Sequence, residues 1–466
     1  MGTLAIIISL ALLMFFAYRG VSVLILAPIM AAVAILLSGD MIYMIYMMPQ
    51  YTETFMAALG GYILKFFPIF LLGALFGQLM VDSGSASSIS NWIMEKLGHK
   101  RAILTVVLAC GVLTYGGVSL FVVAFAIYPI AKSMFQAANI PKRLIPGAIA
   151  LGSFTFTMTA LPGTPSIQNA IPIPFFGTNV FAAPGIGMIA ALIMFALGCM
   201  WLQSRANKAH KNGEGYGVDT QESEHLQDGV TSQGQMPVFL AFLPLLLVIG
   251  VNALFTYILF PNMDLSALQA MYPKLDPAKQ TGLWALVIAL VVACLSLILL
   301  RLGKWNNLKE TVNKGALGSM LPIFNTASEV GYGAVIASLA GFVIIRDMVL
   351  NVSSNPLISE AIAMNILAGI TGSSSGGMSI ALSTLGADYL AMANAAGISP
   401  ELLHRIAALA AGCLDTLPHS GAIITLLSIC GMTHKQSYGN IVMCTVLIPM
   451  IALTVAITLG TLFGSF

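Results

Sequence analysis

The stretch Thr371-Gly372-Ser373-Ser374-Ser375-Gly376-Gly377-Met378-Ser379 lies deep inside an apolar segment running from about residue 357 to 393. Its glycines and hydroxyls weaken a helix where lipid offers the backbone no replacement hydrogen bonds. Irregular backbone at that depth must face protein or a polar cavity. An earlier stretch, Thr114-Tyr115-Gly116-Gly117-Val118-Ser119, shares the pattern hydroxyl-x-Gly-Gly-x-Ser. The pair marks the parts of the chain that do more than span.

Composition sets the class. The chain is 58% hydrophobic and 8% charged, with a mean hydropathy of +0.91, whereas about a quarter of a soluble domain is charged. Apolar windows of roughly 20 residues follow one another, each long enough to cross a bilayer core. The expected class is an all-α polytopic membrane protein. A net charge of +2 gives no footprint for nucleic acid. The six cysteines fall within apolar segments without metal spacing and read as small apolar fillers. No cofactor motif or Walker glycine loop is present.

Taken in order, residues 3–18 and 21–38 read as spans. Arg19 follows the first apolar run rather than preceding it, unlike a cleaved signal peptide. The mixed stretch 40–60, with Asp40 and Glu53, reads as an interfacial arm. Residues 66–97 read as a re-entrant hairpin, because its two apolar arms, joined at Asp82-Ser83-Gly84, are each too short to cross. A broken helix is expected over 102–131, then spans at 143–161 and 178–203. The polar segment 204–235 reads as a cytoplasmic connector. Beyond it come spans at 236–260 and 282–302, and a second hairpin over 318–350 with Glu329, Gly331 and Gly333 at its bend. A broken helix over 357–391 and spans at 403–430 and 440–464 complete the chain.

The two halves correspond. Phe67-Pro68-Ile69-Phe70 matches Leu321-Pro322-Ile323-Phe324 at an offset of 254. Tyr115–Ser119 matches Ser375–Ser379 at 260, Ala137–Ile140 matches Ala395–Ile398 at 258, and Leu161-Pro162 matches Leu417-Pro418 at 256. Matches in one order with nearly constant offset imply a duplication, with repeat one over 1–203 and repeat two over 236–466. With the basic clusters at 205–211 and 301–314 facing the cytoplasm, Arg19, Lys132, Lys142, Arg143, Arg346 and Lys435 also fall inside. That places 13 of the 20 basic residues inside, makes both termini external, and relates the repeats by inverted topology. The expectation is about ten transmembrane helices plus two hairpins, or up to 14 spans if each hairpin arm crosses.

Inverted repeats with interrupted helices are the architecture of secondary transporters, which bind substrate near the midplane. The expected substrate-binding residues are Thr114, Tyr115, Gly116, Gly117, Ser119, Thr164, Ser374, Ser375, Gly376, Gly377, Ser379 and His419. Asp82, Ser83, Gly84, Gly331 and Gly333 are expected at hairpin tips. No Lys or Arg lies in the site stretches, so hydroxyls, backbone N–H groups and helix dipoles would hold an anion. That suits one carboxylate with hydroxyl groups. Glu329 and Asp415 are the coupling candidates, because ionisable groups at membrane depth are costly and usually functional, and burial favours a protonated carboxyl. The competing reading of Asp82 or Asp415 is a helix cap, and of the Gly-Gly pairs, close helix packing. Asp388, Glu360 and His404 are expected at the membrane interface.

Two other classes have some basis. Gly372-Ser373-Ser374-Ser375-Gly376 satisfies G-x-S-x-G, and His419 with Asp415 would complete an intramembrane serine hydrolase, although no strand precedes the motif. A channel would show rings of charge or carbonyl filters.

The run 73–84, the Ala138-Asn139-Ile140-Pro141 run and the Pro/Gly-rich stretch 161–174 resemble the gluconate permease (GntP) family of proton symporters. Gluconate carriers of that family have a His- and Pro-rich motif where this chain has Leu161-Pro162-Gly163-Thr164-Pro165-Ser166. This version is similar to the D-β-hydroxybutyrate permease branch. The resemblance implies a multi-pass protein of a bacterial inner membrane and an ion-transporter-like elevator fold on a homodimeric scaffold. It also implies symport of a small hydroxy-monocarboxylate with H+, with Na+ as the alternative cation and gluconate or another sugar acid as the alternative substrate.

Overall fold

The computed structural model describes residues 2–39, 45, 47–98, 101–217, 236–273 and 275–466. Asp40 and residues 218–235 of the expected connector lie outside these. The described residues are helical, with no strand. In chain order the longer helices are α1 (Gly2–Tyr18), α2 (Val23–Ser38), α3 (Met47–Asp82), α4 (Ser85–Leu97), α5 (Ala102–Tyr115), α6 (Leu120–Ala137), α7 (Ile145–Phe154) and α8 (Pro184–Lys211). After the undescribed segment come α9 (Val238–Asn262), α10 (Pro277–Leu300), α11 (Leu308–Ser338), α12 (Phe342–Leu350), α13 (Pro356–Thr371), α14 (Ser374–Ala395), α15 (Pro400–Ala411), α16 (Gly421–Cys430) and α17 (His434–Phe463).

Five of the described helices are long and apolar enough to cross a bilayer, or six if the bent pair α11–α12 counts as one span. This corrects the expected ten to fourteen. Sequence windows run straight across Gly, Ser and Pro interruptions that divide the remaining apolar chain into helices of 10–17 residues.

The frame is an antiparallel pair, α3 and α11. A Cβ on Gly315 would lie 2.8 Å from the Leu75 Cα, and one on Gly331 would lie 2.9 Å from the Phe55 carbonyl oxygen. Thr311 Oγ1 donates to Asp82 Oδ2 at 2.6 Å. These contacts fix a register that brings Pro68 and Pro322 opposite each other, both inside continuous helices. In both expected hairpins the first arm is longer than the sequence suggested. The stretch 47–60, read as an interfacial arm, continues unbroken into the expected first arm. Helix α11 runs through Glu329, Gly331 and Gly333, and the chain turns by 99° only beyond Ser338. Those glycines serve close packing rather than bending: Gly331 meets Phe55, and a Cβ on Gly333 would lie 2.8 Å from Ile380.

The folding back happens elsewhere. Helices α13 and α14, expected as one broken span, form a hairpin. Tyr389 Oη donates to the Ser359 carbonyl at 3.3 Å across thirty residues, and Gly377 packs on the backbone of Ala368. Gly372 turns the tip with φ +64°, a left-handed conformation that glycine adopts at no steric cost. Ser373 then caps α14, its Oγ accepting from Gly376 N at 3.1 Å. Helices α5 and α6 pack together around a tip at 116–119, where Gly117 has φ +101°. Both hairpins leave by the same turn. Asn139 (φ 50°) and Gly397 (φ 69°) are left-handed, and the next N–H reaches back five residues, Ile140 to Phe135 O and Ile398 to Ala393 O.

Candidate functional site

The site gathers on the first turn of α14, where backbone N–H groups converge and a helix attracts negative charge. Four elements converge on it. From α11, Glu329 lies against Gly376 so closely that any Cβ there would collide with its carboxylate. Glu329 is 3% exposed, and its Oε2 has no hydrogen-bond partner among the described residues. Thr326, one turn earlier, sits 3.3 Å from Ser375 Oγ. From α3, Tyr62 lies beside Ser379 and Glu329, and the Tyr62 and Ser379 hydroxyls are both buried without partners among the described residues.

From the irregular segment 412–420, between α15 and α16, Asp415 faces Ser374 and keeps Oδ1 without a partner among the described residues. His419 packs on the tip, its Nε2 3.1 Å from where a Gly372 Cβ would be. From the segment 161–170, Gln168 Nε2 donates to Ser374 Oγ at 2.9 Å, leaving the buried Gln168 Oε1 without a donor. The same segment meets the other tip. A Cβ on Gly117 would lie 2.9 Å from Pro165 Cγ, and Tyr115 Oη donates to the Pro162 carbonyl at 2.8 Å. One connector therefore touches both hairpins.

The expected residues divide. Ser374, Ser375, Gly376, Ser379, Glu329, Asp415 and His419 come together at the α14 turn. Gly377 faces the other arm of its hairpin rather than the site. Thr114, buried with an unpartnered hydroxyl, ends α5. Gly116 packs on Leu245, and Ser119 lies against Gly77. Thr164 is buried and locally engaged, its Oγ1 accepting from Ser166 N at 3.4 Å. The sequence match of Ser119 to Ser379 is out of register in space. Ser119 and Ser373 occupy equivalent positions, each preceding the second helix of its hairpin, at an offset of 254.

Asp82, Ser83 and Gly84 stand apart from the site. Asp82 accepts from Gln78 Nε2 at 3.0 Å and from Thr311, and Ser83 Oγ is 2.8 Å from Ser85 Oγ. Thr311 is about 27 Å along α11 from Glu329. Asp82 therefore ties α3 to α11 at one end of the molecule.

Sequence reasoning missed Tyr62, Thr326 and Gln168, and it did not foresee how completely protein encloses two ionisable groups. Glu360 and His404, expected at the interface, are both 0% exposed. His404 Nδ1 is 2.6 Å from Thr178 Oγ1, and its Nε2 is 3.2 Å from Asn169 Oδ1. Arg405, also 0% exposed, donates to the carbonyls of Thr159, Val180 and Ala182. The signal was present: from Leu402 to Ala411 the only charged or polar residues are this adjacent pair, in a run too apolar to have a wet face. Asp388 forms a two-pronged pair with Arg346 at 2.9 and 2.5 Å.

Ser374 Oγ accepts from Gln168, and no hydrogen bond joins it to His419. Among the described residues the geometry lacks the His–Ser contact that would activate a serine. Among the described residues, no group of three or more His, Cys, Asp or Glu could hold a metal.

Comparison with known proteins agrees. The chain is 45% identical over 478 residues to YxjC, an uncharacterized transporter of Bacillus subtilis, covering all of both chains. It is 32% identical over 144 residues to an uncharacterized transporter of Haemophilus influenzae, 31% of this chain and 33% of that one. Its fold is similar to the YdaH transporter of Alcanivorax borkumensis (TM-score 0.55, 14% identity, 86% of each chain). It is also similar to MtrF of Neisseria gonorrhoeae (TM-score 0.53, 12% identity, 90% of this chain and 84% of that one). The model of the GntP family permeases matches residues 1–462. This multi-pass membrane protein is a transporter rather than an enzyme, and it belongs to the GntP permease family.

Proposed function

We propose that the protein is a symporter that imports a small hydroxy-monocarboxylate, of which 3-hydroxybutyrate is the type, together with protons. The observation that carries this reading is the buried Glu329 carboxylate, with an unpartnered oxygen, against the N-terminal turn of α14. A resident carboxylate and an incoming one compete for the same turn, so protonation of Glu329 or Asp415 favours substrate binding. The substrate carboxylate then meets the N–H groups and hydroxyls at 373–376, and Gln168 Oε1 accepts from its hydroxyl. Arg405 spends its donors on backbone carbonyls, and Lys65 lies over the Phe175 ring. Neither is disposed to hold a second carboxylate, which favours a monocarboxylate.

The antiparallel α3–α11 pair, the matched hairpin exits and the offsets near 256 support an inverted repeat with both termini external. In this reading the continuous α11 carries Arg346, expected inside from charge, to the external face instead, away from Lys314. Movement of the hairpins and their interrupted partners as one elevator body, within a homodimer, completes the reading.

The test is uptake of labelled 3-hydroxybutyrate into proteoliposomes under an inward pH gradient, with and without Na+ and with excess gluconate. Accumulation driven by the pH gradient, independent of Na+ and resistant to gluconate, is expected. Uptake abolished by gluconate would move the substrate to the sugar acids, and accumulation only with Na+ would replace the proton.

A further inference from the structure

We propose that Glu329 and Asp415 each carry a proton with the substrate, so that two H+ accompany each monoanion and one net positive charge crosses per cycle. This rests on the proton-symport reading above and extends it to stoichiometry.

The argument begins with what surrounds the α14 turn. Glu329 arrives from α11 and lies on Gly376. Asp415 arrives from the segment 412–420 and faces Ser374, two residues earlier. Each keeps one buried oxygen without a hydrogen-bond partner among the described residues. Charge balance comes from the groups facing them. Around Glu329 the nearest such group is Tyr62 on α3, itself beside Ser379, with the Thr326–Ser375 hydroxyl pair one turn earlier along α11. Around Asp415 they are Cys413 and Ser374, with His419 lying on Gly372 two residues before Ser374. None is a fixed cation. Lys65, one turn beyond Tyr62 on α3, lies over Phe175, and Arg405 is saturated by carbonyls.

A buried carboxylate without a cation or a full set of donors is neutral rather than charged. One helix N-terminus offsets about half a charge, which the substrate anion takes when it binds. Neither resident carboxylate can then be ionised in the loaded, closed site. When the site opens and the substrate leaves, water reaches both unpartnered oxygens, and both protons leave on the side of lower proton activity. Because the carboxylates come from different elements on different flanks of the turn, neither proton can serve both groups.

The experiment is a static-head measurement on the full-length protein in proteoliposomes with labelled 3-hydroxybutyrate. A pH gradient of one unit supports about 10-fold accumulation of a monoanion moving with one proton and about 100-fold with two. With one proton the membrane potential has no effect. With two, an inside-negative potential of about 100 mV adds roughly 40-fold. The expected result is the two-proton pair of values, with Glu329→Gln and Asp415→Asn each reverting to tenfold, potential-insensitive accumulation. Tenfold accumulation by the unaltered protein with no response to potential overturns the two-proton cycle and leaves the symport reading standing. Equilibration without accumulation under any gradient overturns both. The unaltered protein decides the ratio even if either variant fails to fold.

Discussion

A carboxylate at position 329 fits against α14 only because position 376 has no side chain. Gly376→Ala forces the Glu329 carboxylate away or displaces the hairpin tip. Overpacking of this kind costs about 1–3 kcal/mol, so we expect substrate affinity to fall roughly 5- to 150-fold, measured as the half-saturating concentration for uptake. Unchanged affinity would separate Glu329 from the site. Buried Arg405 gives a prediction about stability instead. Arg405→Gln leaves the buried carbonyls of Thr159 and Ala182 short of a donor, while Val180 keeps those of Gly163 and Asn169, and at about 1 kcal/mol or more for each the protein should lose roughly 2 kcal/mol. The readout is thermal unfolding in detergent against Lys208→Gln as a surface control, and equal midpoints would contradict the assignment. At this scale the sequence exposed the hydroxyls and acids of the tip. It could not show which face of α3 or of the 161–170 segment turns inward, so Tyr62 and Gln168 looked like ordinary helix and loop residues.

The hairpins are elements whose arms the sequence reads as straight. A run such as 357–391 has the length of one span with a flaw in it. Only the contacts of Gly377 with Ala368 and of Tyr389 with Ser359 reveal that its halves lie side by side. Conversely, Gly331 and Gly333 look like a bend and prove to be packing sites on a straight helix. Glycine marks close approach and chain reversal equally well, and composition does not tell them apart. Outside the spans, Arg143 holds Glu214 through paired hydrogen bonds at 2.7 and 2.8 Å, which pulls the Glu214 carboxyl below its ordinary range. The pair's contribution is present at neutral pH and is lost as pH falls through the depressed value, when Glu214 takes a proton. Being partly exposed, it is small, about 1 kcal/mol at most. Glu214→Gln should lower the unfolding midpoint slightly at pH 7 and progressively less as the pH falls through the depressed Glu214 value; an equal effect at every pH would contradict the ion pair.

For the whole molecule, the continuous α11 puts residues 342–351 and the basic cluster 301–314 at opposite ends. In the proposed orientation, a cysteine replacing Asn351 reacts with an impermeant thiol reagent in intact cells. One replacing Asn212 reacts only after the cells are opened. Both reacting from the same side would overturn the topology. The membrane class was legible because hydropathy survives without coordinates. The number of spans was not, since apolar windows pass through turns that only tertiary packing creates. The central claim is that the carboxylates at the α14 turn couple solute movement to protons, and the double variant Glu329→Gln, Asp415→Asn tests it most directly. In proteoliposomes with 3-hydroxybutyrate on both sides, that variant should exchange labelled for unlabelled substrate while failing to accumulate it under an inward pH gradient. Accumulation by the double variant at the level of the unaltered protein would contradict the account.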